Sequence, residues 1–320
     1  MRRSLLLSAT LLVGPLAGLT ATTAAATART STARPAVTAT ATSAARQITW
    51  PKVSGGFGQT PKITFPSGKA PTALGVKVLH KGNGPTTKKG DLLVANYLGQ
   101  VWGGKVFDSS FSRHQLSGFG IGVGQVIAGW DKTLVGVHAG SRLLLVVPPV
   151  DGYGKNGNPQ AGITGKDTLV FVVDVVASYS HSAEADVHAK VLRRSVGGIS
   201  VSGALGGPPT IQVKKGTPTP AAPTTTLLAR GSGKPLGAGL VVVQFAAASW
   251  AGVLAESTWA AGTPYAVNLG MKGSTSFVNG LEGIPVGSRV LIKLPKSSTS
   301  GGGPYAMVMD IVAQPSDPQR

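Results

Sequence analysis

Val126-Ile127-Ala128-Gly129-Trp130-Asp131-Lys132-Thr133-Leu134 is the stretch on which the fold turns. Its large apolar residues, Val126, Ile127, Trp130 and Leu134, fall at i, i+1, i+4 and i+8, the spacing of one face of a helix. The segments on either side read differently. Gly75 to His80, Asp91 to Gln100, Ser141 to Pro148 and Thr168 to Ser178 carry β-branched or aromatic residues at strand length. A single helix among antiparallel strands can bury its apolar face only against the sheet. The expectation is an α+β fold, an antiparallel sheet wrapped around one helix.

Further out, the unit recurs. Val53-Ser54-Gly55-Gly56-Phe57-Gly58-Gln59-Thr60-Pro61-Lys62-Ile63 returns as Val201-Ser202-Gly203-Ala204-Leu205-Gly206-Gly207-Pro208-Pro209-Thr210-Ile211, 148 residues later. Leu92 to Tyr97 meets Leu240 to Phe245, and Trp102-Gly103-Gly104 meets Trp250-Ala251-Gly252, at the same offset. Val137 to Arg142 then meets Ile284 to Arg289, one residue out of step. Ordered matches of this kind point to a duplication and to two tandem copies of the α+β unit. The expected organisation is a leader over 1–28, an Ala/Thr-rich spacer over 29–47 and a first domain over 48–180. A polar linker over 181–196, a second domain over 197–314 and a tail over 315–320 follow.

Five ordered motifs carry a family resemblance: Tyr97; Val106-Phe107-Asp108-Ser109-Ser110; Gly122-Val123-Gly124-Gln125-Val126-Ile127-Ala128-Gly129-Trp130-Asp131; Gly152-Tyr153-Gly154; and Thr168-Leu169-Val170-Phe171. Together they resemble the FKBP-type prolyl isomerases over roughly Gly75 to Val176. The resemblance implies an FKBP-like fold and peptidyl-prolyl cis/trans isomerase activity. It puts Tyr97, Phe107, Asp108, Tyr153 and Phe171 at the catalytic pocket, with Arg113, Phe119, Val126, Ile127, Trp130 and Ile163 binding substrate around it. Trp130 is implied as the floor, and the Ile127 N–H and Tyr153 hydroxyl as the groups holding substrate carbonyls. Asp108 is implied as an orienting group with Arg113 as partner. Two positions depart from the family, where Ser117 replaces a frequent aromatic residue and Asn158 a histidine; both bear on substrate preference. The implied partners are proline-containing polypeptides and FK506-like macrolides, and no cofactor or metal is called for. A peptide-binding, chaperone-like module of the same fold is the alternative.

The second copy lacks these pocket residues. Tyr97 becomes Phe245, Phe107 becomes Ala255, Asp108 becomes Glu256, Phe171 becomes Met307 and Trp130 becomes Phe277, while Ser297 to Gly303 replaces the Gly152-Tyr153-Gly154 segment. The expectation is a degenerate domain.

Composition removes other classes. The chain has no cysteine, which excludes disulfides, thiolate chemistry, zinc–sulfur sites and a lipid anchor on cysteine. The formal charge of +18 is spread along the chain: 5 basic and no acidic residues over 1–47, 13 against 6 over 48–180, and 12 against 6 over 181–320. Without basic runs beside aromatic ladders this argues against nucleic acid, and fits loose attraction to an anionic cell envelope. Arg2-Arg3, the apolar stretch Leu5 to Leu19 and Ala26-Thr27-Ala28 read as a cleaved signal peptide and so as a secreted, extracytoplasmic protein. Gly120 to Gly124 lacks the full spacing and βαβ setting of a phosphate loop. The His181, Glu184, Asp186, His188 group reads as a solvated linker before a metal site.

Overall fold

A computed structural model describes residues 48–270, 278, 280–296 and 302–319. The leader, the spacer, Phe277 and most of the Ser297 to Gly303 segment lie outside the described residues.

The first half opens with a hairpin, β1 (Lys52–Ser54) and β2 (Lys62–Thr64). It continues through β3 (Gly75–His80), β4 (Leu92–Val101), β5 (Val106–Ser109), α1 (Ser110–Arg113), β6 (Ser117–Gly120), α2 (Ala128–Leu134), β7 (Arg142–Val147) and β8 (Leu169–Tyr179). The strands pair in the order β3-β7-β8-β4-β5, with β6 alongside β4, all antiparallel. Alternation along each strand divides its side chains between two faces. On β4, Leu93, Ala95 and Tyr97 join Trp130 and Leu134 of α2 in the main core, together with Leu143, Leu145, Phe171 and Val173. The helix lies on the sheet as its spacing requires, but it begins at Ala128. Ile127 stands just before it with extended backbone (φ −59°, ψ 145°), so Val126 and Ile127 belong to the approach and not to the helix.

On the opposite face, the β1–β2 hairpin covers Leu144, Val146, Val170 and Val172. A buried ion pair clips it down. Arg142 binds Asp174 through Nε (2.5 Å) and Nη2 (2.7 Å), and the same guanidinium donates to the Gly55 and Gln59 carbonyls at 2.6 and 2.7 Å. The Gly58 amide donates to Asp174 Oδ2, the oxygen that also accepts from Arg142 Nη2, at 2.8 Å.

The range expected to be a linker contains two short strands, β9 (Lys190–Val191) and β10 (Ser195–Val196). Their polar sequence hides them: β9 is held by a strand well along the chain, and β10 forms a tight hairpin with the strand that follows it. The second half continues with β11 (Ile199–Ser202), β12 (Thr210–Val213), β13 (Thr224–Arg230), β14 (Gly239–Ser249), β15 (Leu254–Ser257), α3 (Thr258–Ala261), β16 (Tyr265–Leu269), β17 (Arg289–Leu294) and β18 (Tyr305–Ala313). Here the order is β15-β14-β18-β17-β13-β9, with β16 on β14, and β10-β11-β12 forms a separate small sheet. Read along the chain, β13, β17, β18, β14 and β15 pair as β3, β7, β8, β4 and β5 do. Arg289 binds Asp310 at 2.6 and 2.8 Å and donates to the Gly207 carbonyl, clipping the β11–β12 turn as Arg142 clips its own.

The halves meet through matching positions. Leu92 and Val94 of β4 pack with Leu240 and Val242 of β14 in one apolar cluster, flanked by Val176 and Ala177 on one side and Val312 and Ala313 on the other. Thr263 Oγ1 donates to the Gly90 carbonyl at 2.9 Å across this junction.

Candidate active site

Four aromatic rings close around Trp130 or beside it. Its indole meets Tyr97, Phe119 and Phe171 edge-on, with centroids 5.5, 5.0 and 5.4 Å apart. Phe107 in turn stands edge-on to Phe171 at 5.6 Å. Such contacts contribute about 0.5–1.5 kcal/mol each beyond their buried area. Tyr97, Trp130 and Phe171 are completely buried, whereas Phe107, Phe119 and Tyr153 are partly exposed and form the rim. Val126, Ile127 and Ile163 are buried in the same cluster. All eleven residues expected from the sequence therefore come to one end of the sheet–helix core, with Asp108 and Arg113 at its lip.

The backbone accounts for this convergence. Tyr97 and Phe171 project from β4 and β8, and Phe107 from β5 behind a bulge near Gly99. Gly99 is needed there by close approach: a Cβ would lie 2.6 Å from Phe107 Cζ and 2.9 Å from Phe171 Cε1. The loop before α2 is held by Asp131, whose carboxylate accepts from the Gly122 and Gly124 amides at 2.6 and 2.8 Å. Both glycines have positive φ, 77° and 76°, a conformation costly for other residues. The glycine run thus builds a turn that delivers Val126 and Ile127 to the cluster around Trp130. The Ile127 amide has no protein acceptor among the described residues.

At the lip, Tyr97, Asp108 and Arg113 form a closed polar triangle. The Tyr97 hydroxyl donates to Asp108 Oδ2, Arg113 Nη1 pairs with Asp108 Oδ1, and Arg113 Nη2 donates to the Tyr97 oxygen at 3.1 Å. Burial, then the neighbouring Asp108 charge and hydrogen bond, push the Tyr97 phenol well above its ordinary range, with Arg113 offsetting only part. Burial also raises Tyr153, against a hydrogen bond from the Asn158 side chain; the Asp108 charge adds to the rise. Both phenols stay protonated donors at neutral pH. Asn158 also caps the turn at Pro159–Ala161 and bridges Ile163 through paired backbone hydrogen bonds of 2.8 and 2.9 Å.

Sequence reasoning missed the layer behind the rings. Asn96, wholly buried next to Tyr97, accepts from Ser110 Oγ at 2.9 Å, and Ser110 Oγ accepts the Tyr97 amide at 2.8 Å. Among the positions quoted above, only the Ser109-Ser110 pair after Asp108 hinted at it. Gly99 was missed as well, for want of any sign of what approaches it.

In the second sheet the same register places Phe245 for Tyr97, Glu256 for Asp108 and Met307 for Phe171, with Ala247 opposite Met307 where Gly99 is opposite Phe171. The wall position carries Ala255, so the extra methyl of Ala247 has room that it would lack at Gly99. Burial raises the Glu256 carboxyl, which has no counterpart of the Arg113 ion pair among the described residues.

Comparison with known proteins bears on the first half. The FKBP-type peptidyl-prolyl cis-trans isomerase family matches residues 84–176. An FK506-binding protein from Streptomyces anulatus is 36% identical over 120 residues, 37% of this chain and 97% of that protein. The human peptidyl-prolyl cis-trans isomerase FKBP2 is 40% identical over 113 residues, 35% of this chain and 79% of that protein. A crystal structure of AtFKBP13 aligns at 34% identity over 34% of this chain and 94% of that one, with a TM-score of 0.31. With nearly the whole length of a relative that is 36% identical reproduced here, the chain belongs to the FKBP-type peptidyl-prolyl cis-trans isomerase family and is a peptidyl-prolyl cis-trans isomerase.

Proposed function

We propose that the chain turns X–Pro bonds of exported polypeptides in the pocket of the first sheet, and that the second sheet is a duplicated copy without that activity. The aromatic enclosure around Trp130, with its lip locked by the Tyr97–Asp108–Arg113 triangle, is the observation that carries the reading. Rotation about the amide must cross a barrier of about 18–20 kcal/mol set by resonance, with no bond made or broken. A dry pocket disfavours the planar, charge-separated amide and so favours the twisted state. Phe107, Phe119 and Tyr153 form the entrance. Trp130, enclosed by three rings, serves as the floor that a prolyl ring reaches by parting the rim. The unpaired Ile127 amide and the Tyr153 hydroxyl, oriented by Asn158, hold the flanking carbonyls. Asp108, tied to Arg113 and Tyr97, orients.

Matching strand order, paired Arg–Asp clips and register-equivalent positions support the duplication. Loss of Phe107, Asp108 and Phe171 at Ala255, Glu256 and Met307 supports the inactivity of the second copy. Export rests on Arg2-Arg3, the Leu5 to Leu19 stretch and Ala26-Thr27-Ala28; N-terminal sequencing of secreted protein should begin at Arg29. Loose envelope attraction rests on the dispersed +18 charge.

A protease-coupled assay on a proline peptide tests the reading. Turnover should be blocked by FK506 and untouched by cyclosporin, and lost in Phe107→Ala. Full-chain Phe245→Ala should leave it unchanged. FK506-resistant turnover would overturn the pocket assignment, and a chain that binds proline peptides without turning them over would be a peptide-binding module.

A further inference from the structure

Each half sends an arm to the other. Beyond β18, Gln314 stays with the second half, its side chain bonded to Gly237 at both N–H and carbonyl (3.1 and 2.7 Å). Asp317, Pro318 and Gln319 then lie on the first half. Asp317 Oδ1 accepts from Asn96 Nδ2 at 2.9 Å, and Gln319 Nε2 donates to Asn96 Oδ1 at 3.1 Å. Pro318 sits over the clipped hairpin, where a Cβ on Gly58 would lie 2.9 Å from its carbonyl oxygen. Beyond β8 the arrangement is mirrored. The carbonyls of His181 and Ala183 accept from Gln244 Nε2 at 2.8 and 3.5 Å, and Glu184 and Val187 lie over Gly206.

The contacted side chains lead inward. Asn96 is fully buried, and its oxygen also takes the Ser110 hydroxyl, which receives the Tyr97 amide. In the second half Gln244 and Thr258 build the same relay to the Phe245 amide, with bonds of 2.6 and 2.8 Å. The relay is thus a property of the framework, and its output differs. Phe245 ends in a bare ring, whereas Tyr97 carries the hydroxyl that holds Asp108 and one ring of the Trp130 enclosure.

We infer that the second half serves the first as the anchor of a positioning arm, and that Asp317 and Gln319 set the active strand through Asn96 and Ser110. A half without a pocket then keeps a role in turnover. The inference rests on the reading of Tyr97 as a pocket wall.

The test uses the full chain. Asp317→Ala/Gln319→Ala removes both side-chain bonds to Asn96; kcat/KM should fall about three- to tenfold, the scale of one lost hydrogen bond. Hydrogen exchange at the Tyr97 amide should quicken in the same variant. Asp317→Asn keeps an acceptor for Asn96 and should preserve kcat/KM. Gln319→Glu faces a carboxylate toward Asn96 Oδ1 and should do worse than Gln319→Ala. Thr263→Val removes the inter-half hydrogen bond at Gly90, away from the relay, and should leave kcat/KM alone. Faster Tyr97 exchange with unchanged kcat/KM would make the arm a fastening only, and equal losses in Thr263→Val would trace the effect to docking in general; either overturns the inference. If Tyr97→Ala leaves turnover intact, the pocket reading fails instead, and the arm stands or falls on whether Tyr97 exchange responds to the double variant.

Discussion

At Gly99 a missing side chain decides whether Phe107 and Phe171 can stand together. An added Cβ would meet Phe107 and Phe171 at 2.6 and 2.9 Å, too near for either ring to keep its place. Gly99→Ala should cost about 1–3 kcal/mol through overpacking and depress kcat/KM strongly, as thermal melts and the coupled assay would register. Ala247→Gly at the corresponding site should cost no more than about 1 kcal/mol, the usual price of glycine in a strand, with turnover unchanged. Full activity in Gly99→Ala would mean that the two rings do not form the wall. The phenols make a separate prediction. Tyr97 and Tyr153 are raised in the fold while an unfolded tyrosine titrates near 10.0. Above that pH the unfolded chain releases protons that the folded chain retains, so stability is intact below it and declines as pH rises further. Urea midpoints should hold steady to about pH 9 and fall beyond about pH 10, less steeply in Tyr97→Phe. Turnover, lacking a general acid or base, should stay flat between about pH 6 and 8.

Among the elements, the clipped hairpins show what sequence can and cannot disclose. The four main strands and the helical face are legible because alternation and the i, i+4, i+8 spacing are local records of burial. The helix start is not, since Val126 and Ile127 are apolar because they pack into the core cluster with Trp130, and they extend the pattern beyond the helix. The aromatic rings that gather at Trp130 are legible through their motifs. Asn96, Ser110 and the tail are not, because a polar residue gives no sign of a partner 223 positions away. Nor do Arg142 and Asp174, 32 residues apart on adjacent strands, announce themselves as a pair. Arg142→Ala would strand the buried Asp174 carboxylate and free the Gly55 and Gln59 carbonyls. It should cost about 3–5 kcal/mol in urea unfolding, whereas Arg142→Met with Asp174→Leu should cost much less. A loss below about 1 kcal/mol in the single variant would show that the clip contributes little.

Over the whole molecule, the junction joins equivalent positions from each half: Leu92 and Val94 to Leu240 and Val242, with Val176 and Ala177 answering Val312 and Ala313. On the duplication proposed above, this is the geometry of a two-fold dimer written into one chain. A surface built to match its own counterpart does not depend on which molecule supplies that counterpart. Covalent connection only raises the local supply, to about the millimolar range for a short tether, and removes the dependence on protein concentration. Severing residues 48–196 from the rest should restore that dependence. The freed half would pair with another of its kind through Leu92 and Val94, with the His181 and Ala183 carbonyls reaching the partner's buried amide. Sedimentation should show a monomer–dimer equilibrium abolished by Val94→Lys, and prolyl turnover per half should rise with concentration as the arms engage.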